Sequence, residues 1–122
     1  IHTMITRMVG RQEAPWQTRL MLREVLQPSK ACEELVREYF RPQFGLLVAI
    51  LRELVPQDAP EHRLHQIAFS IVGQCLYYRV AGQVVSLLIE DEELETHYST
   101  DALADHISSF TLASLPGTQE TW

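Results

Sequence analysis

Apolar residues recur along this chain at intervals of three and four, the spacing of helices with one buried face, and mark out five helical stretches. The first holds Ile1, Ile5, Met8 and Val9 and is ended by Gly10. This spacing is already under way at Ile1, which marks the chain as a fragment entered part-way through an element. The second opens at Glu13-Ala14-Pro15, proline being tolerated early in a helix. Its stripe is Trp16, Leu20, Val25 and Leu26, with Arg19 and Arg23 beside it, and Gln27-Pro28-Ser29 stops it. Ser29 is a good N-cap for the third, with Glu33 and Glu34 near its positive end. Its stripe runs from Leu35, Val36, Tyr39 and Phe40 through Phe44, Leu47, Val48, Ile50, Leu51 and Leu54 to Val55. Pro42 in the middle removes a backbone donor and predicts a kink around Tyr39 to Gln43, with room beside it.

The longest apolar-rich run is Pro60 to Leu88. It reads as one helix of about 29 residues, roughly 43 Å long. Asp58 is the expected N-cap, Glu61 completes a capping box, and Pro60 falls in the first turn. At 100° per residue, Leu64, Ile67, Ala68, Ile71, Cys75, Tyr78 and Val85 gather on one side. Phe69, Leu76, Val80, Val84 and Leu87 gather on the other. An ordinary surface helix has a single apolar stripe. A helix with two is buried on both sides, in the centre of its own domain or between that domain and a partner. Ala68, Cys75, Gly82 and Ser86 put small side chains on the first side, which permits close helix approach.

Glu90-Asp91-Glu92-Glu93-Leu94-Glu95 reads as a solvated acidic loop. Ser99 or Thr100 caps a last helix, Asp101 to Leu115, striped by Leu103, Ile107 and Phe110. Pro116-Gly117 ends it, and Thr118 to Trp122 forms a frayed tail. No strand-like alternation occurs. The fold class is all-α, a helical bundle ending in two antiparallel helices.

The chain of 122 residues makes one domain, with 46% apolar and 21% charged residues. Its 10 basic and 16 acidic residues give a net charge of −6, which argues against this chain being a nucleic-acid-binding part. Cys32 and Cys75 form no CxxC pair and read as reduced thiols of a cytoplasmic protein. No signal peptide is visible. His65, Gln66, Gln74, Arg79 and Gln83 within the long helix argue against a membrane span. His62 and His65 lack a third ligand and His106 reads as packed or interfacial, so no metal site is expected. Cys75 has no base placed beside it, and there is no phosphate-binding loop and no G-x-S-x-G. No catalytic residue, enzyme activity or cofactor is therefore expected. Trp16, Tyr39, Phe40, Phe44, Gln74, Tyr77, Tyr78 and Arg79 are either ordinary core or the lining of an apolar cavity with a few orienting polar groups.

Gly73-Gln74-Cys75-Leu76-Tyr77-Tyr78-Arg79, followed by Asp101-Ala102-Leu103-Ala104-Asp105-His106-Ile107, resembles the C-terminal domain of TetR-family transcriptional regulators. The resemblance is closest to the subgroup with a CecR-like (YbiH-like) domain. Leu22-Arg23-Glu24-Val25-Leu26-Gln27-Pro28 and Tyr39-Phe40-Arg41-Pro42 fit the same subgroup, and the match spans Gln17 to Leu115. The resemblance implies a bacterial homodimer whose last two helices form a four-helix bundle with those of the partner. It also implies a pocket lined by the inner helices. A small, mostly apolar effector bound there shifts the spacing of two DNA-binding heads and releases operator DNA. The helix-turn-helix domain of such regulators is absent from this chain, so residues 1–122 correspond to the effector-binding and dimerisation domain.

On this basis the dimer interface is expected at Leu64, Ala68, Ile71, Cys75, Leu103, Ile107 and Phe110. The ligand site is expected at Trp16, Leu20, Tyr39, Phe40, Phe44, Gln74, Tyr77 and Tyr78, with Arg23 or Arg79 available to an anionic or polar ligand group. The alternative is a helical protein-interaction module without a small-molecule site, in which Trp16 and the tyrosines are plain core.

Overall fold

A computed structural model describes residues 1–10 and 15–116. The expected helix start at Glu13-Ala14 and the tail Thr118 to Trp122 lie outside the described residues. Among the described residues every regular element is helical: α1 (His2–Val9), α2 (Pro15–Leu26), α3 (Lys30–Leu35), α4 (Arg41–Leu54), α5 (Glu61–Val80), α6 (Gly82–Leu88), α7 (Asp91–His97) and α8 (Thr100–Ser114). A π-helical turn, Val36–Phe40, joins α3 to α4. The all-α bundle expected from the spacing is what forms.

The core is built around α5, with α1, α4 and α8 packed on it. Each helix contributes residues at helical spacing: Ile5 from α1, Leu47 and Leu51 from α4, Leu64, Ala68, Ile71 and Cys75 from α5, Ala104 and Ile107 from α8. Burying a leucine or isoleucine side chain stabilises by about 1.5–3 kcal/mol, so these few positions dominate the packing energy. Gly10 ends α1 with its N–H on the Thr6 carbonyl at 2.9 Å. Glycine suits this position because α1 approaches α8 closely. A Cβ on Gly10 would lie 2.7 Å from Thr100 Cγ2.

Ser29 caps α3, its hydroxyl accepting from Ala31 N–H at 3.2 Å. Ser99, not Thr100, caps α8 through Ala102 N–H, also at 3.2 Å. The helix is irregular where Pro42 predicts a kink, and three other expectations are corrected. Pro42 lies just after the π turn, in which the Arg41 N–H reaches back five residues to the Val36 carbonyl. The extra residue in that turn is how the helix tolerates a proline whose ring would otherwise crowd the preceding turn. The N-cap of α5 is Pro60, without a side-chain cap, and Asp58 takes no part. Glu61 instead pairs with Arg52 of α4, whose other nitrogen donates to the Ala59 carbonyl at 2.8 Å. Arg52 thereby ties down the α4–α5 turn. The long helix is broken at Ala81, with φ −107° and ψ 21°. Gly82 follows at once, and a Cβ there would meet nothing within 4 Å. Glycine weakens a helix interior by about 1 kcal/mol, and here no packing offsets it. Lastly, the acidic run forms α7, not a loop. Asp91, Glu92 and Glu93 occupy its first turn, where the helix dipole favours negative charge.

Candidate functional site

The apolar side of α5 formed by Leu64, Ala68, Ile71 and Cys75 is turned wholly into the chain's own core. This bears on the expected dimer residues. Leu64, Ala68, Ile71 and Ile107 have 0% exposed surface, Cys75 has 2% and Leu103 has 7%. A side chain with no accessible surface has no area to give to a partner. These six hold α5 and α8 within the chain, and Phe110, 60% exposed, is the one of the seven that faces outward. The opposite side of α5 behaves differently. Phe69 is 62% exposed and Val80 41%, while Leu76 is half-buried; Tyr77, on the flank of this side, is 49% exposed. On α6, Val84, Leu87 and Leu88 are exposed too. The second apolar side read from the sequence is therefore a solvent-facing stripe on the isolated chain.

Beside that stripe, α5 and α8 enclose an open depression of about 290 Å³. Arg63, Gln66, Ser70 and Gln74, three or four residues apart, form its α5 wall together with Ile67 and Ile71, and Phe110, Thr111 and Ser114 form its α8 wall. Several of its polar groups are turned back on their own helices. Ser70 Oγ–H donates to the Gln66 carbonyl at 3.0 Å, Gln74 Nε2–H to the Ser70 carbonyl at 3.2 Å, and Ser114 Oγ–H to the Thr111 carbonyl at 2.6 Å. Ser108 Oγ and Thr111 Oγ1 on α8 are buried with no hydrogen-bond partner among the described residues.

The residues expected to line a ligand pocket are not brought together. Trp16 and Leu20 of α2 are more than half exposed, Arg23 is exposed, and Tyr39 of the π turn is 57% exposed. Phe40 is half-buried. Phe44 packs against α5, its ring 4.9 Å from Phe69 and 5.6 Å from His65. Gln74 faces the α5–α8 depression instead. Tyr77 and Tyr78 meet edge to face at 5.8 Å, and Tyr78 continues to Tyr98 at 6.3 Å, toward the start of α8. The half-buried Arg79 acts electrostatically on Cys75. The helical stripe of α2 was legible. What its sequence did not disclose is that α2 packs chiefly on α3 and leaves that stripe open. Of the lining residues that sequence reasoning did not assign to a site, Gln66 and Ser70 carry a readable signal in the polar i, i+4 ladder Gln66, Ser70, Gln74, whereas Arg63, Thr111 and Ser114 carry none.

The chemistry available is that of contact. Burial pushes the Cys75 thiol up to about 11, with Arg79 pulling weakly the other way, so this sulfur is a poor nucleophile. His65 lies 3.7 Å from Glu61, and His106 lies against Phe110 at 5.9 Å. Among the described residues no three His, Cys, Asp or Glu side chains gather as a metal site would require. No described helix is long and apolar enough to cross a membrane.

No curated protein and no solved structure matches the chain significantly. A family model does, over residues 1–115: the C-terminal domain of the HTH-type transcriptional dual regulator CecR. That span takes in every described helix, including the α5 and α8 walls, and the all-helical fold agrees with it. The chain thus belongs to the CecR C-terminal domain family of TetR-type transcriptional regulators.

Proposed function

We propose that residues 1–122 form the effector-sensing and homodimerising domain of a TetR-type repressor, acting in the cytoplasm. Operator DNA is contacted by a helix-turn-helix domain outside this chain, in keeping with the net charge of −6. The partner is a second copy, seated on the outer faces of α5 and α8. The observation that carries this is the exposed apolar surface left on these helices: Phe69, Tyr77 and Val80 on α5, Leu87 on α6 and Phe110 on α8 all stay accessible. Contiguous exposed apolar patches on a soluble domain mark interaction surfaces. The effector of this reading is a small, mostly apolar molecule. Its binding favours one spacing of the two DNA-binding heads and releases the operator.

The interface is tested by Phe110→Glu in sedimentation velocity. The variant is expected to keep wild-type helicity and to sediment as a single chain, because it places an unpaired charge on the contact surface. A folded dimer of unchanged affinity would rule out the α8 face. The alternative is a helical interaction module without a small-molecule site, although Trp16 and Tyr39, which it takes as core, are 60% and 57% exposed. Titration with an apolar anionic dye such as anilinonaphthalene sulfonate separates the two readings. Saturable binding at one site per chain, with quenching of Trp16, is expected of a sensor, and its absence favours the module.

A further inference from the structure

α1 and α8 run antiparallel and meet at both ends. At one end His2 Nε2–H donates to Asp105 Oδ1 at 2.6 Å. At the other, a β-carbon on Gly10 would lie 2.7 Å from Thr100 Cγ2, so that side chain would have to shift to admit one. Between these ends Ile5, with no exposed surface, shares the core with Ala104 and Ile107. The imidazole is also braced on its own helix. Thr6 Oγ1 lies 3.4 Å from His2 Nδ1 and donates to the His2 carbonyl at 2.8 Å, so the ring presents Nε2 to the carboxylate. We propose that His2 and Asp105 clasp α1 to α8, fixing the register of α1 on the helix that faces the second copy, with the Gly10–Thr100 approach as the fixed end. His2 is a positioning residue in this device. The inference deepens the reading of α8 as an interface helix and rests on it, since a clasp there makes α1 follow α8. Both partners are solvent-accessible, at 47% and 74%, so the pair can open without disturbing the core. Exposed pairs of this kind add little to global stability, and their effect is sought in local opening.

The experiment is residue-resolved amide exchange on the 122-residue chain carrying Asp105→Ala, Gly10→Val, or the exchanged pair His2→Asp with Asp105→His. Asp105→Ala is expected to speed exchange at Ile5 and Thr6 about two- to fivefold, with α4 and α5 unchanged. The exchanged pair is expected to restore wild-type rates. Gly10→Val is expected to loosen the opposite end, at the Gly10 and Leu103 amides, which bond the Thr6 and Ser99 carbonyls at 2.9 Å. Unchanged α1 rates in Asp105→Ala, a uniform rise across all helices, or failure of the exchanged pair to restore protection would each overturn the clasp. The measurement needs no second copy. A monomeric chain with this exchange pattern would remove the reading of α8 as an interface helix and leave the clasp standing.

Discussion

At the scale of single residues, the same helix carries side chains with opposite duties, and substitutions separate them. Ile71 has no exposed surface and is packed inside the chain, so Ile71→Glu buries an unpaired charge and is expected to abolish folding. Leu64→Ala, at an equally closed site, is expected to lower stability by about 2–5 kcal/mol in urea denaturation, with no change in the mass of the folded species at matched concentration. Thr111 is a different case, its hydroxyl buried with no partner. Thr111→Val removes that unmet group and is expected to raise stability by about 1 kcal/mol, read as a higher melting temperature. Glu24 accepts from Ser29 Oγ–H at 2.6 Å and Ser29 N–H at 3.2 Å, which holds its carboxyl below the usual range. A lowered carboxyl favours the fold above the ordinary carboxylate pKa and loses that contribution as pH falls through the lowered value. In Ser29→Ala the Glu24 titration followed by NMR should move back up. The cap of α3 should weaken as well, by about 1 kcal/mol. The Cys75 thiol has the opposite sign. Pushed up to about 11, it favours the fold below the ordinary thiol value near 9.0 and withdraws that contribution as pH rises toward 11. Alkylation at pH 8 should therefore reach the half-buried Cys32 well before Cys75.

At the scale of elements, the break between α5 and α6 is the feature most open to manipulation. Gly82→Ala meets open space and keeps a helical backbone, so it should extend helicity across Ala81 and stabilise by about 0.5–1 kcal/mol, visible in carbon chemical shifts of residues 79–84. The position of the break also shows what pattern alone conveys. The stripes of α1, α4, α5 and α8 were readable because Leu47, Leu51, Leu64, Ile71 and Ile107 recur at helical spacing, and the caps Ser29 and Ser99 were readable from their chemistry. The break was not, because a glycine's cost in a helix depends on whether tertiary contacts offset it. The helix at Asp91–His97 was hidden for a similar reason. A run of carboxylates repels itself as a loop or a helix interior would, yet it suits a helix N-terminus. The π turn ahead of Pro42 answers a crowding problem that sequence states without naming its solution.

At the scale of the whole molecule, two apolar sides on α5 were legible, but not which side the chain keeps for itself. That choice depends on where α1 and α4 dock. They dock on the Leu64–Cys75 side and leave Phe69, Tyr77 and Val80 outside. The expected ligand site was less legible still, since aromatic residues on separate helices carry no sign of whether they converge. The outer stripe and Phe110 leave apolar surface accessible on the single chain, and the proposal is that a second copy covers it. The most direct test is mass in solution by light scattering after size exclusion, on the unaltered chain across a dilution series. The account predicts about twice the 14.0 kDa chain mass, holding at low micromolar concentration. A stable species of one chain mass over the whole series would contradict it.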